Sequence, residues 1–130
     1  MIDPVNGLTH TSLIAASNQS DNTASAGVDI STYIGRLAVD VQIGAKSAGT
    51  TPSITVQLAA SADTNVSNAT NISGAITTAP SNAGVAGLQT LGVDTRAVGK
   101  YLFALPIVTG TNTPAFPLSA TIIGQKQVQP

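Results

Sequence analysis

Between Leu37 and Ala60 the alternation of the chain dictates β structure. Leu37, Val39, Val41 and Ile43 are separated by Ala38, Asp40 and Gln42; further on, Ile54, Val56 and Leu58 are separated by Thr55 and Gln57. A period of two places each aliphatic set on one face of a strand. The Gly/Ser/Thr/Pro segment between them, with Gly49-Thr50-Thr51-Pro52 at its end, is expected to turn the chain back. The pair therefore predicts an antiparallel hairpin with one wet and one dry face. Burying these aliphatics contributes roughly 10–20 kcal/mol gross, at ~1.5–3 kcal/mol each, an upper bound because the unfolded chain already hides part of that area. A hairpin cannot cover its own apolar face, so other parts of the chain, or a partner, must do so.

Composition extends the β reading to the whole chain. The 130 residues suffice for one domain with a single core. Only 8% are charged and none is Glu, against a usual charged share of about 25%. Helix formers with charged heads are scarce and β-branched residues plentiful, so an all-β domain is expected. The net charge of −1 and the scattered Arg36, Lys46, Arg96, Lys100 and Lys126 give no footprint for nucleic acid. Near-neutrality removes the repulsion that keeps monomers apart, and suits a protein packed beside others. The absence of Cys removes disulfides and thiolate chemistry. The opening MIDPVNGLTHT has no basic, then apolar, signal-peptide pattern, and no stretch approaches a membrane span. Synthesis in the cytoplasm is the default expectation.

Read in order, residues 1–11 look like an extended N-terminal arm, residues 12–126 like one β-sandwich domain and residues 127–130 like a tail. Strands are expected at 12–17, around Val28 and Ile30, at 69–78 and at 87–93, with a turn at 80–84. A second strong pair follows. Tyr101, Phe103, Leu105 and Ile107 share one face; Phe116, Leu118, Ala120 and Ile122 share another; Gly110-Thr111-Asn112-Thr113-Pro114 stands between them. The two Gly/Thr/Pro segments make the hairpins look like loose copies of each other. Parity predicts that Phe103 and Leu105 line the same buried face as the aliphatics of the first pair. The total is an antiparallel sandwich of about eight strands. Pro106 and Pro117 fall inside strands, and each should lie at an edge or turn its nitrogen away from a neighbour. Few charges protect the edges, which hints at oligomerisation.

Chemistry-bearing residues are few. His10 stands alone, without the Cys, Glu or second His that metal binding or nucleophilic catalysis requires. Asp3, Asp21, Asp29, Asp40, Asp63 and Asp94 are spread along the chain. A glycosidase-type pair could still form in space, but sugar-platform aromatics are lacking, so solvated loop and strand positions are expected. Asp63-Thr64-Asn65 has the start of a calcium loop without its Gly or closing acid, and reads as a turn. Gly44-Ala45-Lys46-Ser47 lacks the Gly directly before Lys and the helix of a phosphate loop. The triplets opened by Asn18, Asn65, Asn68 and Asn71 arise by chance in so Ser/Thr-rich a chain. Asp94 can cap a helical turn that Gly99 ends, setting Lys100-Tyr101 at the start of a strand. No catalytic, cofactor-binding or metal residues are assigned, and the chain is not expected to be an enzyme.

The order of short motifs supplies the functional expectation. A hydrophobic strand runs into Gly-Thr-Thr-Pro, then Ser-Ile-Thr-Val-Gln-Leu, then Ser61-Ala62-Asp63. Further on come Leu91-Gly92-Val93-Asp94-Thr95-Arg96-Ala97, Lys100-Tyr101, the Gly110 to Pro114 segment, a final strand and Gly124. Over residues 33–126 this resembles the small β-sandwich capsid decoration, or cement, proteins of tailed bacteriophages. The chain departs from that pattern at Thr64, where relatives usually carry Gly after the Asp, and in having fewer Lys and Arg in residues 102–108. The resemblance implies a jelly-roll-like sandwich on the outside of an assembled head, stabilising it. It implies the major capsid protein as partner, self-association as a homodimer or homotrimer, and location on the virion surface. Polar loops and the N-terminal arm are the expected contacts. The alternatives are another phage part (a head fibre base, neck or tail component) and a ligand-binding β-sandwich module.

Overall fold

The alternating segments around Leu37 and Ile54 are both strands, but they do not pair with each other. The computed structural model describes residues 8–45, 47–77, 87–96 and 98–126. Its strands are β1 (Thr9–Gln19), β2 (Val28–Asp29), β3 (Arg36–Ile43), β4 (Ala48–Ser61), β5 (Thr70–Ile76), β6 (Gly87–Asp94) and β7 (Tyr101–Gly124). Helical structure among the described residues is one 3-10 turn, Val66–Asn68. The all-β expectation holds. The turn expected at 80–84, the tail at 127–130 and residues 1–7 of the arm lie outside the described residues.

β3 and β4 each pair antiparallel with β7 instead. The pairing runs from Ser61 opposite Tyr101 to Ala38 opposite Ile123. β3 and β4 thus form one side of a long two-stranded ribbon, and β7 forms the other. The second expected hairpin is absent for the same reason: residues 109–114 do not reverse the chain, and β7 runs its 24 residues straight through them. Two expected strands are one element, so about eight become seven. Alternation specifies which side chains share a face and says nothing of which strand lies alongside.

The ribbon bends at its middle and folds into two leaves, β1-β7-β3-β6 and β2-β7-β4-β5, with β7 running through both. β5 and β6, the two ends of the path β5-β4-β7-β3-β6, come into contact. The sheet is therefore nearly closed and barrel-like. Between the leaves, Leu37, Val39, Val41, Ile43, Ile54, Val56 and Leu58 form one buried cluster with Phe116, Leu118, Ala120 and Ile122.

From the first half of β7 this cluster takes Leu102 and Ala104, not Phe103 and Leu105. The register is the cause: Leu102 lies opposite Ala60, Ala104 opposite Leu58 and Val108 opposite Ile54. Even-numbered residues of β7 therefore turn inward on both sides of the bend, at 102–108 and 116–124. Phe103, opposite Ala59, is on the outside of its leaf. It is buried there all the same, with its ring so close over Gly27 that a Cβ on that glycine would lie 2.8 Å from the ring.

The prolines fit where the ladder is interrupted. Ala104 bonds outward to Ser25, through its N–H to the serine Oγ and its C=O to the serine N–H, and Val108 N–H donates to Asn22 Oδ1. Pro106, between them in the same alternating row, has its nitrogen turned away from β4, as expected. Pro117 differs. Its carbonyl accepts from Gly44 N–H, so its nitrogen side faces the end of β3, where the ladder stops at Ile43.

β1 begins earlier than the expected strand, and takes up the last residues of the expected arm. Thr9, His10 and Thr11 lie opposite Gly124, Ile123 and Ile122, and the Thr11 hydroxyl is 2.7 Å from the Tyr33 hydroxyl. Their backbone joins the sheet because β7 would otherwise present an open edge there.

Between β4 and β5 the register slips, and Ile72, Ser73, Gly74 and Ala75 drop out of the ladder. The Gln57 side-chain amide fills this gap, donating to the carbonyls of Leu58, Ile72 and Ala75 at 2.8, 2.9 and 3.2 Å. Gln57→Leu keeps the volume and orphans those acceptors, so it should cost about 1–3 kcal/mol in chemical denaturation. An unchanged denaturation midpoint would mean that water replaces the amide.

Candidate functional site

The ribbon bend is the most unusual local structure in the molecule. Its two sides are the expected copies, Gly49-Thr50-Thr51-Pro52 and Gly110-Thr111-Asn112-Thr113-Pro114, but facing each other rather than turning separate hairpins. A Cβ on Gly49 would lie 2.6 Å from the Pro114 Cα, and one on Gly110 would lie 2.9 Å from the Pro52 Cα. Each glycine thus packs on the proline of the opposite side. Gly49 (φ 105°), Thr51 (46°), Gly110 (131°), Asn112 (59°) and Thr113 (56°) all have positive φ. Left-handed backbone is uncommon for Thr, and its clustering here marks a built feature. Cross-ribbon bonds hold it: Asn112 Nδ2 donates to Thr50 Oγ1 at 2.7 Å, and the Ser53 and Thr109 hydroxyls are 2.6 Å apart. The bend is exposed, and residues 47–53 and 107–117 carry no charge.

The opposite end of the molecule gathers the charges. Folding the ribbon brings both of its free ends together, where residues 30–35 and 95–100 link the leaves. Lys100 Nζ lies 3.7 Å from Asp29 Oδ2 and 5.4 Å from the Tyr101 ring centre. Arg96 pairs with Asp94 at 3.2 Å, Arg36 lies opposite Asp94 across the ladder, and Lys126 sits over the Tyr33 ring. Asp63 follows directly on β4 at the same end. These pairs are exposed and contribute little stability. Among the described residues, the charges elsewhere are Asp40, midway along β3, and Asp21, beside the bend between Gln19, opposite Phe116, and Asn22, bonded to Val108.

The sequence candidates fall as follows. His10 is an exposed β1 residue opposite Ile123. Each described aspartate is held by its own local donors. The Asn65 backbone N–H, then the Asn68 side chain, keep the Asp63 carboxyl below its ordinary range, closing the tight turn that leads into the 3-10 turn. Asp94 is lowered chiefly by the Arg96 side chain and then its backbone N–H. Thr95 and Arg96 after it form a turn, with the Arg96 N–H donating to the Asp94 carboxylate; Ala97, inside the expected helical turn, lies outside the described residues. Ser31 lowers Asp29, with Lys100 adding less, and Thr23 lowers Asp21. Asp40 accepts from the Thr90 hydroxyl at 2.8 Å. Of the segment 44–47, Gly44 and Ala45 follow β3 and Ser47 precedes β4, and Lys46 lies outside the described residues. Among the described residues, no group of three or more His or Asp side chains converges on a point where a metal ion could sit. No helix among them is long and apolar enough to cross a membrane.

One cleft, of about 580 Å³, lies at the charged end between Ser61, Asn68, Ile72 and Val98. Its floor is backbone: a Cβ on Gly99 would stand 2.6 Å from the Ser61 carbonyl. The reciprocal Gly–Pro packing and the segregation of charge were not legible in the sequence. The matching Gly/Thr/Pro segments were the available signal, and they meet only once the partner of each strand is known.

No protein-family model matches the chain, and no curated protein matches it. Among solved structures it is similar to the SPBc2 prophage-derived protein YomS, with 10% identity and a TM-score of 0.46, over 90% of this chain and 93% of that one.

Proposed function

We propose that this chain is a structural protein of a tailed-phage virion, a decoration protein that attaches outside an assembled head and stabilises it through its ribbon-bend end. The observation that carries the reading is the locked bend, with its reciprocal Gly–Pro packing and clustered positive φ, on strands that carry no charge over residues 47–53 and 107–117, while the ion pairs gather at the other end. Uncharged hydroxyl and amide groups cost less to desolvate against a neighbour than ions do, while charges at the far end keep it in water. A bend held by reciprocal Gly–Pro contacts loses little entropy when it docks. Contacts of this kind are individually modest. Affinity then comes from several capsid subunits meeting one molecule, and the shell is stabilised because only the assembled state offers that surface.

The test is co-sedimentation of purified chain with intact heads and, separately, with dissociated major capsid subunits. Binding to heads alone is expected, weakening only slightly from low to moderate salt. Thr111→Lys, on the exposed bend, should abolish it without changing the melt; Thr32→Lys, at the charged end, should not. Equal binding to heads and subunits, or no binding to heads, would replace this reading with a neck or tail component.

A further inference from the structure

Residues 30–35 cross from β2 to β3 over the charged end and close the space between the leaves there. Ile30 and Tyr33 are 1% and 5% exposed and belong to the core cluster. The Tyr33 ring lies so close to Gly124 that a Cβ on that glycine would stand 2.8 Å from it. Backbone bonds tie the segment to its surroundings. Ile30 N–H donates to the Lys100 carbonyl, Ile34 N–H to that of Gln125 and Thr95 N–H to that of Gly35, at 2.9, 2.8 and 3.0 Å. A carboxylate latches each end. At the start, Asp29 accepts from the Ser31 N–H at 2.8 Å and lies 3.7 Å from Lys100 Nζ. At the finish, the Gly35 carbonyl accepts from both the N–H and the hydroxyl of Thr95. Thr95 in turn sits in the turn that Asp94 closes, by accepting from the Arg96 N–H and guanidinium.

We infer that residues 30–35 are an acid-released strap, held shut over the core while Asp29 and Asp94 are ionised and opening as they are protonated, with the ribbon bend left intact. A hydrogen bond to a carboxylate is about twice as strong as one to a neutral acceptor, so acid weakens both latches. It also removes the counter-charge around the strap. Facing it are Arg36 on β3, Arg96 and Lys100 in the 95–100 link, Lys126 over the Tyr33 ring, His10 on β1, and Tyr101 beside Lys100. Asp63, at the same end, closes its own turn with Asn65 and Asn68 and has no bond to the strap. Ser31 holds the Asp29 carboxyl below its ordinary value, with Lys100 adding less, and the Arg96 side chain does the same for Asp94. A lowered carboxyl stabilises the fold above the ordinary aspartate range, and that contribution is lost as the pH falls through the lowered value. Both carboxylates are exposed, so each latch is weak and the strap opens locally without unfolding the chain. Residues 47–53 and 107–117 of the bend hold no titratable side chain, and Asp21 beside them bonds to Thr23 and Gln19 rather than across the ribbon. The inference stands apart from the head-binding proposal, which uses the bend.

Amide hydrogen exchange of the purified full chain, followed by NMR from about pH 7 to about pH 2 and corrected for the intrinsic pH dependence of exchange, is the test. Protection of the Ile30, Ile34 and Thr95 N–H groups should fall at least about tenfold in acid. The Gly44 and Ser47 N–H groups, bonded to Pro117 and Ala115 beside the bend, should change less than about twofold. A double variant, Asp29→Asn with Asp94→Asn, keeps the acceptors but lacks both charges, so at pH 7 its strap should already exchange as the wild-type strap does in acid. Asp29→Asn alone should remove the acid response at Ile30 and keep it at Thr95. Asp63→Asn should respond as the wild type does. A strap protected down to about pH 2, equal losses at strap and bend, an Asp29→Asn chain with the wild-type response at Ile30, or an Asp63→Asn chain without it would each overturn the inference.

Discussion

Val41→Asp should not fold. Val41 is fully buried, flanked by Gln89 on β6 and Ala120 on β7, with its side chain in the cluster between the leaves. Among the described residues the basic side chains, Arg36, Arg96, Lys100 and Lys126, stand at the far end of the molecule, and none of them is placed to pair with a carboxylate there. Burying an unpaired charge costs more than about 4 kcal/mol, against about 5–15 kcal/mol for the stability of a whole domain. Expression should shift to the insoluble fraction, and any soluble material should show no cooperative melt. Gln42→Asp, one residue on and exposed, should melt almost normally, because its carboxylate stays in water. If Val41→Asp melted like Gln42→Asp, the inward face of β3 would be the wrong one.

Gly49→Ala should destabilise far more than Gly74→Ala, although both glycines have positive φ, 105° and 78°. At Gly74 nothing lies within 4 Å of the added methyl, so only backbone strain remains, about 1–2 kcal/mol. At Gly49 the methyl would meet the Pro114 Cα at 2.6 Å. That atom is backbone in the opposite strand and cannot rotate aside. The two sides of the ribbon would have to separate where Asn112 and Thr50 are bonded, and a loss of about 3 kcal/mol or more is expected. Thermal melts of the two variants side by side decide the matter. Equal losses would show that the bend yields freely and that its reciprocal packing is not a constraint.

The parts of the fold legible in the sequence were those that depend on neighbours along the chain. Period-two alternation identified β3, β4 and both halves of β7, and assigned their aliphatics to common faces within each strand. What it could not supply was pairing. The hairpin reading assumed that a Gly/Thr/Pro segment reverses the chain. Here two such segments face each other, and left-handed φ at Thr51, Asn112 and Thr113 lets the ribbon bend without reversing. The same missing information misplaced Phe103. Its parity relative to Leu105 was right, but which parity faces the core depends on the register with β4, where Phe103 meets Ala59. The charge segregation was invisible for a related reason. Asp29 and Lys100 are far apart in the chain and meet only because β2 pairs with β7.

The central position of β7 has a consequence for biosynthesis. It pairs with β1, β2, β3 and β4, all of which leave the ribosome before it. Until Tyr101 and the residues after it emerge, those strands have alternating faces and open edges but no common partner to close on. The nascent chain must therefore carry its aliphatic faces unshielded until β7 emerges, at about 5–20 residues per second, and complete its fold only once β7 is available. A holdase acting early, rather than a foldase acting late, is what such a chain would call on. Ribosome stalling before β7 should yield a protease-sensitive chain, whereas stalling after Gly124 has cleared the exit tunnel should yield a resistant one.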